Sequence, residues 1–80
     1  MEQLLAKLEI IFKRVFEKKN LKITLTTSAK DIDNWDSLSH VLLLNEIEKE
    51  FNIQFELEEL LDFKTVEDIL KSIASKNNGA

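Results

Sequence analysis

The stretch IDNWDSLSHVLLLNEIEKEF, residues 32–51, decides how this chain folds. It opens on polar residues around a lone tryptophan, and from Leu38 the apolar residues recur every three or four positions, at Leu38, Val41, Leu42, Leu44, Ile47 and Phe51. That spacing is one face of an α-helix. A helix is predicted over residues 37–51, with Asn52 placed to end it because asparagine tolerates the left-handed conformation. Leu43 widens the apolar surface beyond one stripe. At the other end, Asp36 and Ser37 are both residue types that accept a backbone N–H where a helix begins.

On the N-terminal side, Leu4, Leu5, Leu8, Ile11, Phe12, Val15 and Phe16 make a second helical stripe with Lys and Glu opposite. They predict an amphipathic helix over 3–18 that stops near Asn20. Residues 21–25 alternate like a half-buried strand, but no second convincing strand offers a ladder partner. Residues 20–35 therefore read as a long connection pinned to the core by Leu21, Ile23, Leu25 and Ile32, and connections of that length are often functional. On the C-terminal side, Ile53 and Phe55 lead into a short helix over 56–61. A last helix over 65–75 buries Val66, Ile69, Leu70 and Ile73, and Thr65 with Asp68 resembles a capping box in which Asp replaces the usual Glu. Residues 76–80 are expected to be a flexible tail. The fold class is all-α: three long helices and one short one in a bundle with a long first loop, a single domain over 1–80.

Composition excludes several function classes. Eighty residues, 44% hydrophobic and 32% charged, suffice for one core, and the chain is too apolar to stay disordered. Without cysteine there is no disulfide, thiolate nucleophile or thiolate metal site. The longest apolar runs, such as Val41 to Leu44, span four residues, so neither a membrane span nor a secretory signal fits and a cytoplasmic address is expected. Charge divides unevenly: residues 1–30 hold seven Lys/Arg against three Glu, and residues 31–80 hold four Lys against twelve Asp/Glu. An acidic second half argues against nucleic acid, which needs a basic face, and favours partners with basic patches.

The candidates for chemistry are few. Ser37 and His40 lie three apart on a helix, a spacing at which a nucleophile and base seldom aim at one another, and no orienting acid or oxyanion donor accompanies them. His40 reads as a half-exposed polar residue. Asp31, Asp33 and Asp36 suggest a calcium loop, but such a loop would need an oxygen ligand at Trp35, Gly at Asp36 and Glu at Leu42. They read instead as a solvated cluster favoured by the helix dipole, and no metal site is expected. Ser37 differs: if Asp36 caps the helix, the Ser37 hydroxyl is left free where a phosphate is readily stabilised.

These residues resemble the acyl carrier proteins. The likeness runs over nearly the whole chain and rests on Asp36-Ser37-Leu38 opening the second helix, on Glu48, Glu50, Phe51 and Ile53 at its exit, and on Thr65-Val66 opening the last one. The resemblance implies that Ser37 accepts 4′-phosphopantetheine from coenzyme A, in a magnesium-dependent reaction run by a separate phosphopantetheinyl transferase. Asp36 would help that enzyme bind or order its metal, and Leu38 would be an apolar docking contact. The protein would then be a carrier and no enzyme, a monomer holding acyl or aminoacyl groups as thioesters for acyl-loading and acyl-processing enzymes of fatty-acid, polyketide or related biosynthesis, with no nucleic-acid or membrane partner. Leu42, Asn45, Glu46 and Lys49 would line the partner surface.

Departures from the family pattern bear on substrate class. Asn34-Trp35 stands where carriers of central fatty-acid synthesis usually have a small pair, and Ser39 and Leu42 occupy outward positions often acidic there. Docking is therefore expected to be more apolar, and the wording WDSLSH is closer to stand-alone carriers of specialised pathways. A peptidyl carrier of a non-ribosomal pathway, which would usually show Gly-Gly before the Asp, and an unmodified helical adaptor are the alternatives. Trp35 is expected to plug the core, as a hydrophobic staple does, or else to edge a groove for a bound acyl chain.

Overall fold

The computed structural model describes residues 2–78. Four helices follow in order: α1 (Glu2–Phe16), α2 (Ser37–Phe51), α3 (Leu57–Asp62) and α4 (Val66–Asn78). Among the described residues, extended backbone pairs only in an isolated antiparallel bridge between Ser28 and Thr65, so the chain is an all-α bundle with a long first loop.

α1 buries Leu8, Ile11, Phe12 and Phe16, the inner part of its stripe. It ends at Phe16 and not near Asn20, as periodicity predicted. Glu17 takes the left-handed position with φ 53°. Lys18 N–H donates to the Lys13 carbonyl at 3.0 Å and Glu17 N–H to that of Arg14 at 3.4 Å, the two bonds of a Schellman closure. Phe16 is the last apolar member of the stripe, and stopping there lets Leu21 and Ile23 turn back onto the core.

The loop is held by specific bonds. Ile23 N–H donates to the Glu9 carboxylate at 3.0 Å, and Thr27 N–H to the Thr24 carbonyl at 3.1 Å. The turn between those threonines rotates Leu25 outward, so Leu25, expected as a core anchor, is 38% exposed, whereas Ile23 and Ile32 are buried. Farther along, Thr27 and Leu25 carbonyls accept the N–H groups of Val66 and Glu67 at 2.9 and 3.0 Å. These are donors that the first turn of α4 cannot satisfy within the helix. Asp68 completes the start by accepting from the Lys64 and Thr65 N–H groups at 2.9 and 3.2 Å, the carboxylate half of the expected capping box. Those bonds, the one from Lys64 foremost, hold its carboxyl below the usual carboxylate range against the opposing effect of burial.

α2 spans the predicted residues and ends as expected, with Asn52 left-handed at φ 55° and Ile53 N–H reaching the Glu48 carbonyl at 3.1 Å. Its buried face is only partly the one expected, with Leu44 and Ile47 inside as read. Leu43, Leu44 and Ile47 are inside, while Leu38, Val41 and Leu42 are exposed. Both faces are apolar in the first half of the helix. Only the inner one stays apolar to the end, at Ile47 and the half-buried Phe51, because the other meets Asn45 and Lys49.

α3 has no fully buried residue and is held from outside. Its Glu59 carboxylate binds the Ser72 hydroxyl and the Lys76 ammonium of α4. Lys76 belongs to the expected tail, but α4 continues through it; residues 79 and 80 lie outside the described residues.

Candidate functional site

The first turn of α2 is set by three residues before it. Asn34, at φ 72°, turns the chain through the left-handed region, where asparagine is among the best tolerated residues. Trp35 then folds inward. It is 9% exposed and meets the Phe12 ring edge-on at a centroid distance of 5.2 Å. Asp36 caps the helix: its Oδ1 accepts the Ser39 N–H at 3.0 Å, and the Ser39 hydroxyl accepts the Asp36 N–H at 2.8 Å. The bond from Ser39, ahead of any other cause, holds the Asp36 carboxyl below its ordinary value.

That reciprocal box leaves Ser37 uncommitted. Its side chain is exposed, and among the described residues neither its hydroxyl nor its N–H finds a partner. An exposed hydroxyl at a helix start, beside an open N–H, fits a phosphate ester.

Beside Ser37 opens a cleft of about 460 Å³ between α2, α3 and the loop. Trp35, Val41, Leu57, Leu60, Leu61 and Phe63 supply its apolar wall, with Ala29, Asp36, His40 and Lys64 completing it. The His40 ring is bonded on both sides: Nδ1 accepts from Trp35 Nε1 at 3.0 Å, and Nε2 lies 3.1 Å from the Leu60 carbonyl oxygen. Neither nitrogen is free to take a proton from Ser37, which removes a Ser/His nucleophilic pair.

The site residues expected from sequence divide into two groups. Trp35, Asp36 and Ser37 share the cleft. Leu38, 72% exposed, begins an outer strip of α2 that continues through Leu42, Asn45 and Lys49. Glu46 lies at the edge of that strip, half-buried and 3.6 Å from Arg14 of α1. The three aspartates do separate work and form no cluster: Asp31 accepts the Ser28 N–H at 2.9 Å, Asp33 stands 3.9 Å from Lys18, and Asp36 caps α2. Sequence reading missed Ala29, Leu57, Leu60, Leu61 and Phe63 as cleft walls. The apolar residues of ELEELL that find no core were the available signal.

Comparison with known proteins gives consistent results. The family described as "Phosphopantetheine attachment site" matches residues 6–73. Among solved structures, the chain is similar to the holo acyl carrier protein of Geobacter metallireducens, at 40% identity and a TM-score of 0.87, over 92% of this chain and 85% of that one. It is also similar to a chain of Mycobacterium tuberculosis assigned as an acyl carrier protein, at 26% identity and a TM-score of 0.81, over 90% of this chain and 96% of the other. A search of curated proteins found no match.

Proposed function

The chain belongs to the acyl carrier protein family, and on that premise we propose that Ser37 is the residue bearing the arm and that the cleft beside it shelters the cargo. A carrier of this type is not itself catalytic, and its cofactor is a covalently attached 4′-phosphopantetheine. The arm brings a terminal thiol, the nucleophile this cysteine-free chain lacks, on which acyl groups are held as thioesters.

The observation that carries the assignment is the division of labour between Asp36 and Ser37. Capping is done by Asp36 with Ser39, so modifying the Ser37 oxygen costs the helix no bond. A phosphodiester there gains the open first-turn N–H and the positive end of the helix dipole. Asp36 remains exposed and ionised beside it, in position to assist a magnesium-dependent transferase. Trp35, Val41, Leu57 and Leu61 offer apolar surface to an acyl chain that folds back from Ser37. Leu38, Leu42, Asn45 and Lys49 form the outer strip on which the transferase and the acyl-loading and acyl-processing enzymes dock, with Glu46 at its margin. Its apolar character at Leu38 and Leu42 favours partners that read shape and apolar contact over charge, and suits a specialised biosynthetic pathway, polyketide synthesis among them.

Intact mass after incubation with a broad-specificity phosphopantetheinyl transferase, magnesium and coenzyme A tests the assignment. The native protein should gain one phosphopantetheine and Ser37→Ala none. A folded native sample that gains nothing would mean that Ser37 is not an attachment point, and the exposed strip of α2 would then be read as the face of an unmodified adaptor.

A further inference from the structure

His40 is the polar residue that spans the cleft, and neither atom it satisfies has another partner among the described residues. Trp35 Nε1–H is only a donor, and it belongs to a side chain that is 9% exposed. Its partner must therefore be an unprotonated Nδ1, which places the ring proton on Nε2, facing the Leu60 carbonyl at 3.1 Å. That carbonyl lies in the last turn of α3, where four C=O groups have no partner within the helix. Glu59 O is satisfied by Phe63 N–H at 3.1 Å, and Leu60 O by His40. One ring thus closes the start of α2 and the end of α3 together, stacking on Trp35 at 5.9 Å as it does so.

α3 is attached elsewhere through the partly buried Leu60, which packs against the core, and through Glu59. Glu59 is bonded to Ser72 and Lys76 of α4, and α3 contributes no fully buried side chain. A short helix fastened to α4 by one ion pair and one hydrogen bond, to the core by the partly buried Leu60, and to α2 by a single hydrogen bond is freed on its α2 side when that last bond is released. The space it would open is the cleft beside Ser37.

We propose that His40 is the latch of this cleft, a positioning residue whose bridge from Trp35 to the Leu60 carbonyl sets the distance between α2 and α3 and so selects which acyl chains the protein shelters. The latch rests on the geometry alone; its role in acyl selection rests on the reading of Ser37 and the cleft given above.

The test compares native protein with His40→Phe, which keeps a stacked ring and loses both hydrogen bonds. Amide exchange of the unmodified proteins reads the latch: residues of α3 should exchange roughly two- to ten-fold faster in the variant, the effect of one lost hydrogen bond, with α1 unchanged. Unchanged exchange in α3 overturns the latch. Nitrogen NMR of the native imidazole reads it without a variant, and a proton on Nδ1 overturns it equally. Thioester aminolysis by hydroxylamine is then followed on holo proteins loaded with butyryl, octanoyl and dodecanoyl groups. The variant should shift best protection to a longer chain, whereas a uniform loss across lengths overturns the selective role. If native protein protects no chain while α3 exchange responds as stated, the cleft reading fails, the selective role goes with it, and the latch stands.

Discussion

The Asp36 carboxylate and the Ser39 hydroxyl cap α2 reciprocally, at 3.0 and 2.8 Å, and this exchange is what leaves the Ser37 hydroxyl free. Ser39→Ala removes the hydroxyl half of the box, leaving the Asp36 N–H and the Asn34 carbonyl without it. It should lower stability by about 1 kcal/mol while leaving Ser37 in place, so thermal unfolding should shift and phosphopantetheine loading should proceed. Asp36→Asn keeps an acceptor at the cap. It should leave the fold intact and slow loading, which intact mass against time will measure. Loading at the native rate would remove Asp36 from the transferase reaction.

Glu59 ties α3 to α4, and its titration should be visible in acid. Partial burial by itself would raise its pKa, but the Glu56 N–H, the Ser72 hydroxyl and Lys76 together outweigh it and bring the carboxyl down to about 2 from an ordinary 4.5. Because the folded value is the lower one, the ionised group stabilises the fold above the ordinary value, and that contribution is lost as pH falls from 4.5 toward 2. Glu59→Gln should flatten the decline in melting temperature across that window. At neutral pH it should cost about 1 kcal/mol, since Glu59 and Lys76 are each about a quarter exposed and water screens the pair. An acid limb of the same steepness in both proteins would place the titration elsewhere.

Leu42 and Leu43 are adjacent and chemically identical, yet they face opposite ways: Leu43 is fully buried and Leu42 is 51% exposed. Leu43→Ala should cost about 2–5 kcal/mol through lost burial and the cavity left behind, enough to unfold much of a small domain. Leu42→Ala should stay within about 0.5 kcal/mol. Denaturant midpoints for the two variants measure the contrast, and equal effects would mean that α2 is turned about its axis relative to this fold.

That contrast also shows what sequence could and could not reveal. The stripe of α1, the Asn52 exit of α2 and the position of Asp36-Ser37-Leu38 at the start of α2 are local patterns, and the structure has them where the sequence puts them. The inner face of α2 was legible only in part, at Leu44 and Ile47, because Leu38, Val41 and Leu42 make as good a stripe as Leu43, Leu44 and Ile47. Only Asn45 and Lys49 farther along, weighed together with packing on α1, decide between them. Glu17 in a left-handed turn runs against its residue type, and what forces it is the need of Leu21 and Ile23 to reach the core. The partners of His40 lie five residues before it and twenty after, and no periodicity encodes such a meeting.

The outer strip of α2 makes a graded expectation for partner enzymes. Leu38→Glu places a charge on a 72%-exposed side chain and should leave stability within about 0.5 kcal/mol. It should reduce the rate of loading by the transferase and of acyl transfer with a cognate enzyme. Glu46→Lys sets a cation beside Arg14, now 3.6 Å from a carboxylate. It should cost up to about 1 kcal/mol and slow transfer less than Leu38→Glu does. The opposite ranking in acyl-transfer rates would move the docking face toward α1.

The end of α1 offers a stabilising change that tests the closure directly. Glu17 sits at φ 53°, where a side chain with a Cβ is strained by about 1–2 kcal/mol and glycine is not. Glycine loses more backbone freedom on folding, which returns roughly 0.5–1 kcal/mol of that gain. Glu17 is exposed and takes part in none of the ion pairs among the described residues, so its carboxylate adds little to the balance. Glu17→Gly should therefore raise stability by up to about 1 kcal/mol, while Glu17→Val, branched at Cβ and least suited to a left-handed position, should lower it. Chemical denaturation of the three proteins reads the order Gly, Glu, Val. If Gly and Val fall together below Glu, the helix runs on toward Asn20 in solution, and the loop that carries Trp35 to Ser37 begins later than the structure has it.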